Sequence, residues 1–274
     1  MRKLFQLLCM CVVLCFVACS SDDSAKDSKD STPTLRVGLS AEYPPFEYKK
    51  DGKIVGFDID LLDAISKKAG FKYTLNHMSF DGLIPALKAG KIDMIMSGMS
   101  ATSERMKQVD FSVPYYEGQT LFIKRKDSKD IVDKDSIKGK RIGVFLGTVQ
   151  EQAAQKMKQD YQIEVVMSDS ILGAILNLKS SKVDIVLADY ATAQGYLKEY
   201  PDDLEGFYQE SDGSEGLSIA FDKGKHADLL AKINTAIKEL KESGEYDKIM
   251  IKNNLKSESK TDMATAPKDK QDSK

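Results

Sequence analysis

Directly after the apolar run Ile92-Asp93-Met94-Ile95-Met96 comes Ser97-Gly98-Met99-Ser100-Ala101-Thr102-Ser103-Glu104-Arg105, a stretch of small and hydroxyl side chains that ends on one arginine. These are residue types that can hold a carboxylate. Small side chains at Ser97, Gly98 and Ser100 let a ligand come close to backbone N–H groups, and Arg105 offers a planar fork that grips a carboxylate through two hydrogen bonds. An ordinary strand-to-helix loop with a solvated arginine has the same composition. The stretch therefore needs a second group, of opposite charge, before it reads as a site.

The elements that must position it follow from periodicity. Leu35–Leu39 alternates as a strand, and Gly56-Phe57-Asp58-Ile59-Asp60-Leu61-Leu62 opens a helix to about Lys68. In that helix Leu61, Leu62, Ile65 and Ala69 form the apolar stripe, while Asp58 and Asp60 suit the positive N-terminal end. Tyr73–His77 reads as a strand, Phe80–Ala89 as a short helix and Ile92–Met96 as a strand, a parallel α/β pattern. Tyr116–Lys124 is a strand long enough to pass from one lobe to another. A second series then follows: strand Arg141–Phe145, helix Gln150–Lys158, strand Ile163–Val166, helix Ser170–Leu178 and strand Val183–Leu187. Leu217–Phe221 and the amphipathic Ala227–Ser243 are expected to return to the first lobe.

The two series also match locally. Ala86-Leu87-Lys88-Ala89-Gly90-Lys91-Ile92-Asp93-Met94-Ile95-Met96 runs alongside Asn177-Leu178-Lys179-Ser180-Ser181-Lys182-Val183-Asp184-Ile185-Val186-Leu187. The first strand delivers Ser97 at its carboxyl end and the second delivers Asp189. Ligands of open α/β sheets sit beyond the carboxyl ends of the strands, so two facing sheets would present Arg105 from one side and Asp189 from the other.

The ends of the chain carry a different signal. Arg2 and Lys3 precede an apolar stretch from Leu4 to Ala18, which predicts a secretory signal peptide over 1–18. Phe16-Val17-Ala18-Cys19 looks like a bacterial lipobox, with Cys19 as the lipidated residue and a membrane anchor. All four cysteines, Cys9, Cys11, Cys15 and Cys19, lie here, so the exported domain has no disulfide framework. Residues 19–33 and 256–274 are polar and charged and are expected to be a flexible tether and a disordered tail. With 40 Lys and Arg against 42 Asp and Glu, interspersed, the chain offers no basic stripe for nucleic acid. Only His77 and His226 are present, away from any cysteine of the exported domain, so no metal site is expected.

Gly56-Phe57-Asp58-Ile59-Asp60-Leu61, Ser97 to Arg105 and Phe111-Ser112-Val113-Pro114-Tyr115-Tyr116, in this order and spacing, resemble the polar amino-acid family of bacterial solute-binding proteins that serve ABC importers. The resemblance covers about Leu35 to Leu255. It implies a two-lobed fold of the type II periplasmic-binding-protein kind, with two crossover hinge strands. The first lobe is then expected over 34–117 and 214–255 and the second over 118–213. It further implies roles: Arg105 pairs with the ligand α-carboxylate, Ser97, Gly98 and Ser100 add donors, and Thr148 caps the carboxylate from the second lobe. Asp189 receives the α-ammonium, Tyr43 and Phe80 sandwich the ligand side chain, and Asp58 borders the pocket.

A free polar or basic amino acid is the expected ligand, with arginine or lysine first and glutamine or cystine next. A membrane permease is the expected partner, the protein itself a monomer without cofactor. Ser40 stands where relatives of basic specificity often carry an aspartate, which separates this chain from the strictly basic pattern. Two alternatives share the fold. One is a cyclohexadienyl (arogenate or prephenate) dehydratase, which needs an acid or base in the cleft. The other is a ligand-sensing domain, against which counts the lack of a second apolar segment after Leu255.

Overall fold

The structure is a computed structural model that describes residues 32–256. The signal segment, Cys19, the tether up to Ser31 and the tail beyond Lys256 lie outside the described residues.

The first lobe is built from β1 (Thr34–Leu39), the small β2 (Glu42–Tyr43), β3 (Glu47–Lys50) and β4 (Lys53–Val55) sheet, α1 (Phe57–Ala69), β5 (Lys72–His77), α2 (Leu83–Lys88), β6 (Met94–Ile95), the one-turn α3 (Ser103–Met106) and β7 (Val109–Phe111). The second contains β8 (Gln119–Arg125), β9 (Arg141–Phe145), α4 (Val149–Met157), β10 (Glu164–Ser168), α5 (Ile171–Lys179), β11 (Ile185–Asp189), α6 (Tyr190–Glu199) and β12 (Leu204–Ser211). The chain then returns to the first sheet as β13 (Ala220–Asp222) and closes with α7 (Ala227–Glu242) and α8 (Glu245–Lys252).

Each lobe has a five-stranded sheet, ordered β5-β1-β6-β13-β7 and β10-β9-β11-β8-β12. The expected parallel strands are the inner part of each: β1 runs parallel to β5 and β6, and β9 to β10 and β11. The sheets as a whole are mixed. β8 and β13 enter their sheets from the hinge, where the parallel strands end, and so must run antiparallel to β11 and β6. At the hinge itself Tyr116 bridges Leu217, and Gln119 pairs with Ser211. The strand expected from Tyr116 therefore begins as a ladder only at Gln119.

Apolar spacing explains the packing. Leu61, Leu62 and Ile65 of α1 share a buried cluster with Ile233, Ile237 and Leu240 of α7 on the first sheet. Phe122, Ile142, Val144, Ala154 and Leu187 form the corresponding core of the second. Fully burying such aliphatic and aromatic side chains stabilises by about 1.5–3 kcal/mol each, so these stripes hold each lobe without any disulfide.

The local sequence match is also a structural one. Arg36, the third residue of β1, forks onto Asp93, which takes Nη2 at 2.7 Å, Nε at 3.0 Å and the Arg36 backbone N–H at 2.7 Å. Arg141 at the start of β9 repeats this on Asp184 at 2.7, 3.1 and 2.9 Å. The preceding turns repeat as well, with left-handed backbone at Gly90 (φ 66°) and Ser181 (φ 61°).

Candidate functional site

The carboxyl ends of the two sheets face each other, and the loop from Ser97 to Arg105 lies between them. Gly98 has φ 50°, and a Cβ there would lie 3.2 Å from the Tyr43 ring, so the turn requires glycine on both counts. Thr102 caps the single turn of α3 by accepting the Arg105 N–H at 3.2 Å. This directs the Arg105 guanidinium inward. It is 6 % exposed, donates Nη1 to Ser100 O at 2.8 Å and Nη2 to Gly147 O at 3.0 Å, and its Cζ sits 5.5 Å from the centre of the Phe80 ring. Burial draws its pKa down to about 10, with Asp212 and Tyr43 acting the other way. Among the described residues no carboxylate forms an ion pair with it, so a buried cation is left with N–H groups to spare.

The opposite charge comes from the second lobe. Asp189 ends β11 and caps α6, its Oδ1 accepting from Ala191 N at 2.9 Å and Thr192 N at 3.5 Å. It is 3 % exposed, and burial pushes its pKa up to about 7 against the lowering effect of those amides. A buried carboxylate without a cation is costly, and it becomes favourable when a cation reaches it.

Thr148 caps α4, accepting from Glu151 N at 3.3 Å and donating to Phe145 O at 2.7 Å, while Gly147 N–H is taken by Glu151 Oε2 at 2.8 Å. The amides of Val149 and Gln150 in the first turn have no intrahelical acceptor, and both residues line the cavity, an arrangement suited to an anion.

Seven of the nine residues expected at the site, Tyr43, Phe80, Gly98, Ser100, Arg105, Thr148 and Asp189, line one cavity of about 330 Å³ together with Phe145, Val149, Gln150 and Leu217. The other two are placed elsewhere. Ser97, expected to add a backbone or hydroxyl donor, donates its hydroxyl to Glu47 Oε1 at 2.7 Å, and that hydroxyl oxygen accepts from Ser40 N at 2.9 Å inside the first lobe. Asp58 lies behind the loop and not on the cavity wall, accepting from Gly98 N at 2.8 Å and from the Tyr115 hydroxyl at 2.9 Å.

Phe145 was not foreseen. Its ring centre lies 6.5 Å from that of Tyr43 and 5.8 Å from that of Phe80, so the aromatic wall is a triplet. It is the last residue of a strand, the same placement that singled out Asp189. Asp212, also unforeseen, accepts from the Ser100 hydroxyl at 2.9 Å and from Ser214 N and Oγ at 2.9 and 2.8 Å. Its only sequence signal is the turn-like run Asp212-Gly213-Ser214.

The lobes touch across the cleft. A Cβ on Gly147 would lie 2.9 Å from Asp81 Cβ and 3.0 Å from Asp81 Cα, and Gly147 holds φ 82°. Gly147→Ala is therefore expected to prop the cleft open and weaken ligand binding about tenfold or more, a cost of roughly 1–3 kcal/mol for an overpacked contact. Titration calorimetry with small-angle scattering checks this: unchanged affinity and an unchanged closed envelope would contradict it.

Comparison with known proteins places the chain in a family. Residues 35–255 match the family described as bacterial extracellular solute-binding proteins, family 3. A probable histidine-binding protein of Campylobacter jejuni is 44 % identical over 245 residues, 88 % of this chain and 94 % of that protein. The arginine-binding extracellular protein ArtP of Bacillus subtilis is 38 % identical over 255 residues, 92 % of this chain and 98 % of its own length. A solved structure described as an ancestral arginine-binding protein bound to arginine superposes with a TM-score of 0.76 at 44 % identity, covering 80 % of this chain and 97 % of that one.

Proposed function

Because this chain belongs to the bacterial extracellular solute-binding proteins, family 3, we propose that it captures a free zwitterionic amino acid between its lobes and hands it to the membrane permease of an ABC importer. The observation that carries this reading is the convergence of two buried, unpaired groups of opposite charge, Arg105 and Asp189, on one small cavity from opposite lobes. An α-carboxylate answers the first and an α-ammonium the second. The open amides of Val149 and Gln150 would complete the carboxylate site when the second lobe swings over, expelling water. At micromolar affinity the total is about −8 kcal/mol.

For the ligand side chain we favour a basic one, arginine or lysine, with histidine, glutamine and cystine behind. Tyr43, Phe80 and Phe145 present flat aromatic faces, and a cation over such a face gains about 0.5–2 kcal/mol. The name of the arginine-binding relative supports this choice, and that of the histidine-binding relative supports histidine among the candidates. We further read Cys19 as a lipid anchor on the exported protein and the protein as a monomer.

The relatives named above are binding proteins and not enzymes, and the chain is a binding protein. Among the described residues the cavity lining contains no histidine, and its one carboxylate, Asp189, is assigned here to the ligand ammonium; His77 accepts the Ala41 N–H at 3.1 Å outside it. The test is a thermal-shift screen against the common amino acids. A ligand at 100 times its Kd raises stability by about 2.7 kcal/mol, so a basic amino acid is expected to raise Tm clearly. No shift with any of them would overturn the reading.

A further inference from the structure

Directly beneath the loop that lines the cavity lie two carboxyl groups that the binding mechanism does not use. Glu47, at the start of β3, and Asp58, in the first turn of α1, are both 0 % exposed. Each gives one oxygen to the loop. Glu47 Oε1 accepts the Ser97 hydroxyl at 2.7 Å, and Asp58 Oδ2 accepts the Gly98 N–H at 2.8 Å and the Tyr115 hydroxyl at 2.9 Å. The remaining oxygens, Glu47 Oε2 and Asp58 Oδ1, are buried with no hydrogen-bond partner. Among the described residues the titratable groups that face the pair are Tyr115 from the segment leading to the hinge, Tyr43 from β2 and Tyr246 from α8, and no cation is among them.

Two ionised carboxylates cannot lie side by side in a dry interior with no cation to neutralise them. One proton between them resolves both orphan oxygens at once. We propose that Glu47 and Asp58 share a single proton, Glu47 Oε2–H donating to Asp58 Oδ1, and that this acid–carboxylate pair is the positioning device that holds Ser97 and Gly98, and through them the cavity loop, in place. The assignment uses every polar atom: the protonated Glu47 keeps Oε1 as acceptor for Ser97, and the ionised Asp58 keeps Oδ2 as acceptor for two donors. Burial first, and then the charge of Asp58, hold the Glu47 carboxyl well above the usual range, in the direction this arrangement requires.

The test has two arms. Infrared spectra of the ligand-free full chain in heavy water, taken near neutral pH on Asp189→Asn so that the other raised carboxyl adds no band, should contain the carbonyl band of a protonated carboxyl. Adding Glu47→Gln should remove that band. Absence of the band from Asp189→Asn, or its survival once Glu47→Gln is added, overturns the shared proton. The second arm rests on the amino-acid reading above. Glu47→Ala is expected to weaken arginine binding about tenfold or more, because it strands Asp58 and Ser97. Glu47→Gln, whose amide can donate to Asp58 and accept from Ser97 without a charge, is expected to rescue most of that loss. Failure of the glutamine to rescue overturns the positioning role. Should no amino acid bind the wild type while the band behaves as stated, the functional reading fails and the proton pair stands.

Discussion

Arg105→Ala is expected to abolish useful ligand binding while the chain stays folded. Among the described residues the guanidinium is the only charged donor on the cavity wall, and its two hydrogen bonds, to Ser100 O and Gly147 O, leave the rest of the fork for a carboxylate. Removing one partner of a buried charge pair costs about 2–5 kcal/mol, because the other charge is left desolvated and unpaired. From a micromolar start this puts Kd between about 30 μM and 5 mM. The fold should survive, since the free protein then no longer buries a cation that lacks an acid. Arg105→Lys should recover little, as an ammonium cannot reproduce the planar two-pronged contact. Calorimetry with circular dichroism reads both parts, and near wild-type affinity in the alanine variant would falsify the carboxylate assignment.

Asp189→Asn is expected to be nearly as damaging, by about 2–5 kcal/mol, through loss of the ammonium partner. Asparagine is as good a helix cap as aspartate, so α6 should keep its N-terminus and the loss can be assigned to charge. The wild type should also show a distinctive pH response. The Asp189 pKa is raised to about 7 in the free protein, so its burial makes the fold less stable as pH rises from about 4 to 7. Ligand binding needs the ionised form and should weaken about tenfold per unit as pH falls below about 7. Free-protein stability and ligand-induced stabilisation therefore slope in opposite directions across this window. Thermal melts with and without ligand from pH 5 to 8 measure both, and parallel slopes would remove Asp189 from the site.

Local pattern carried much of the architecture. The inner parallel strands, the two long amphipathic helices and the repeat around Asp93 and Asp184 could be read because apolar periodicity reports burial of one face. The carboxyl-end rule then brought Arg105 and Asp189 together, although 84 residues separate them in sequence. What stayed hidden depends on distant partners. β12 alternates buried and exposed residues only weakly, and its strand identity comes from pairing with β8. The helix Tyr190–Glu199 carries Gly195 at its centre, and no element was expected between Leu187 and Leu217. Glu47 opens the run Glu-Tyr-Lys-Lys, which looks solvated until α1 and the Ser97 loop close over its first residue. Ser97 looked like a ligand donor for the same reason: a hydroxyl beside a cleft cannot be told from one turned back into the lobe without knowing where Glu47 lies.

The two Arg–Asp forks sit in the amino-terminal halves of the inner strands, and the cavity-lining residues sit at or beyond the carboxyl ends. Arg36 is the third residue of the strand that Leu39 closes beside the loop, and Arg141 opens the strand that ends on Phe145. Each lobe is thus braced at one end of a short strand and exposed to selection at the other. Substitutions at Phe145 or Gln150 can change which solute is retained without touching the braces, and the braces can be strengthened without altering selectivity. The scaffold can therefore be retargeted to a new solute and made sturdier as two separate engineering problems.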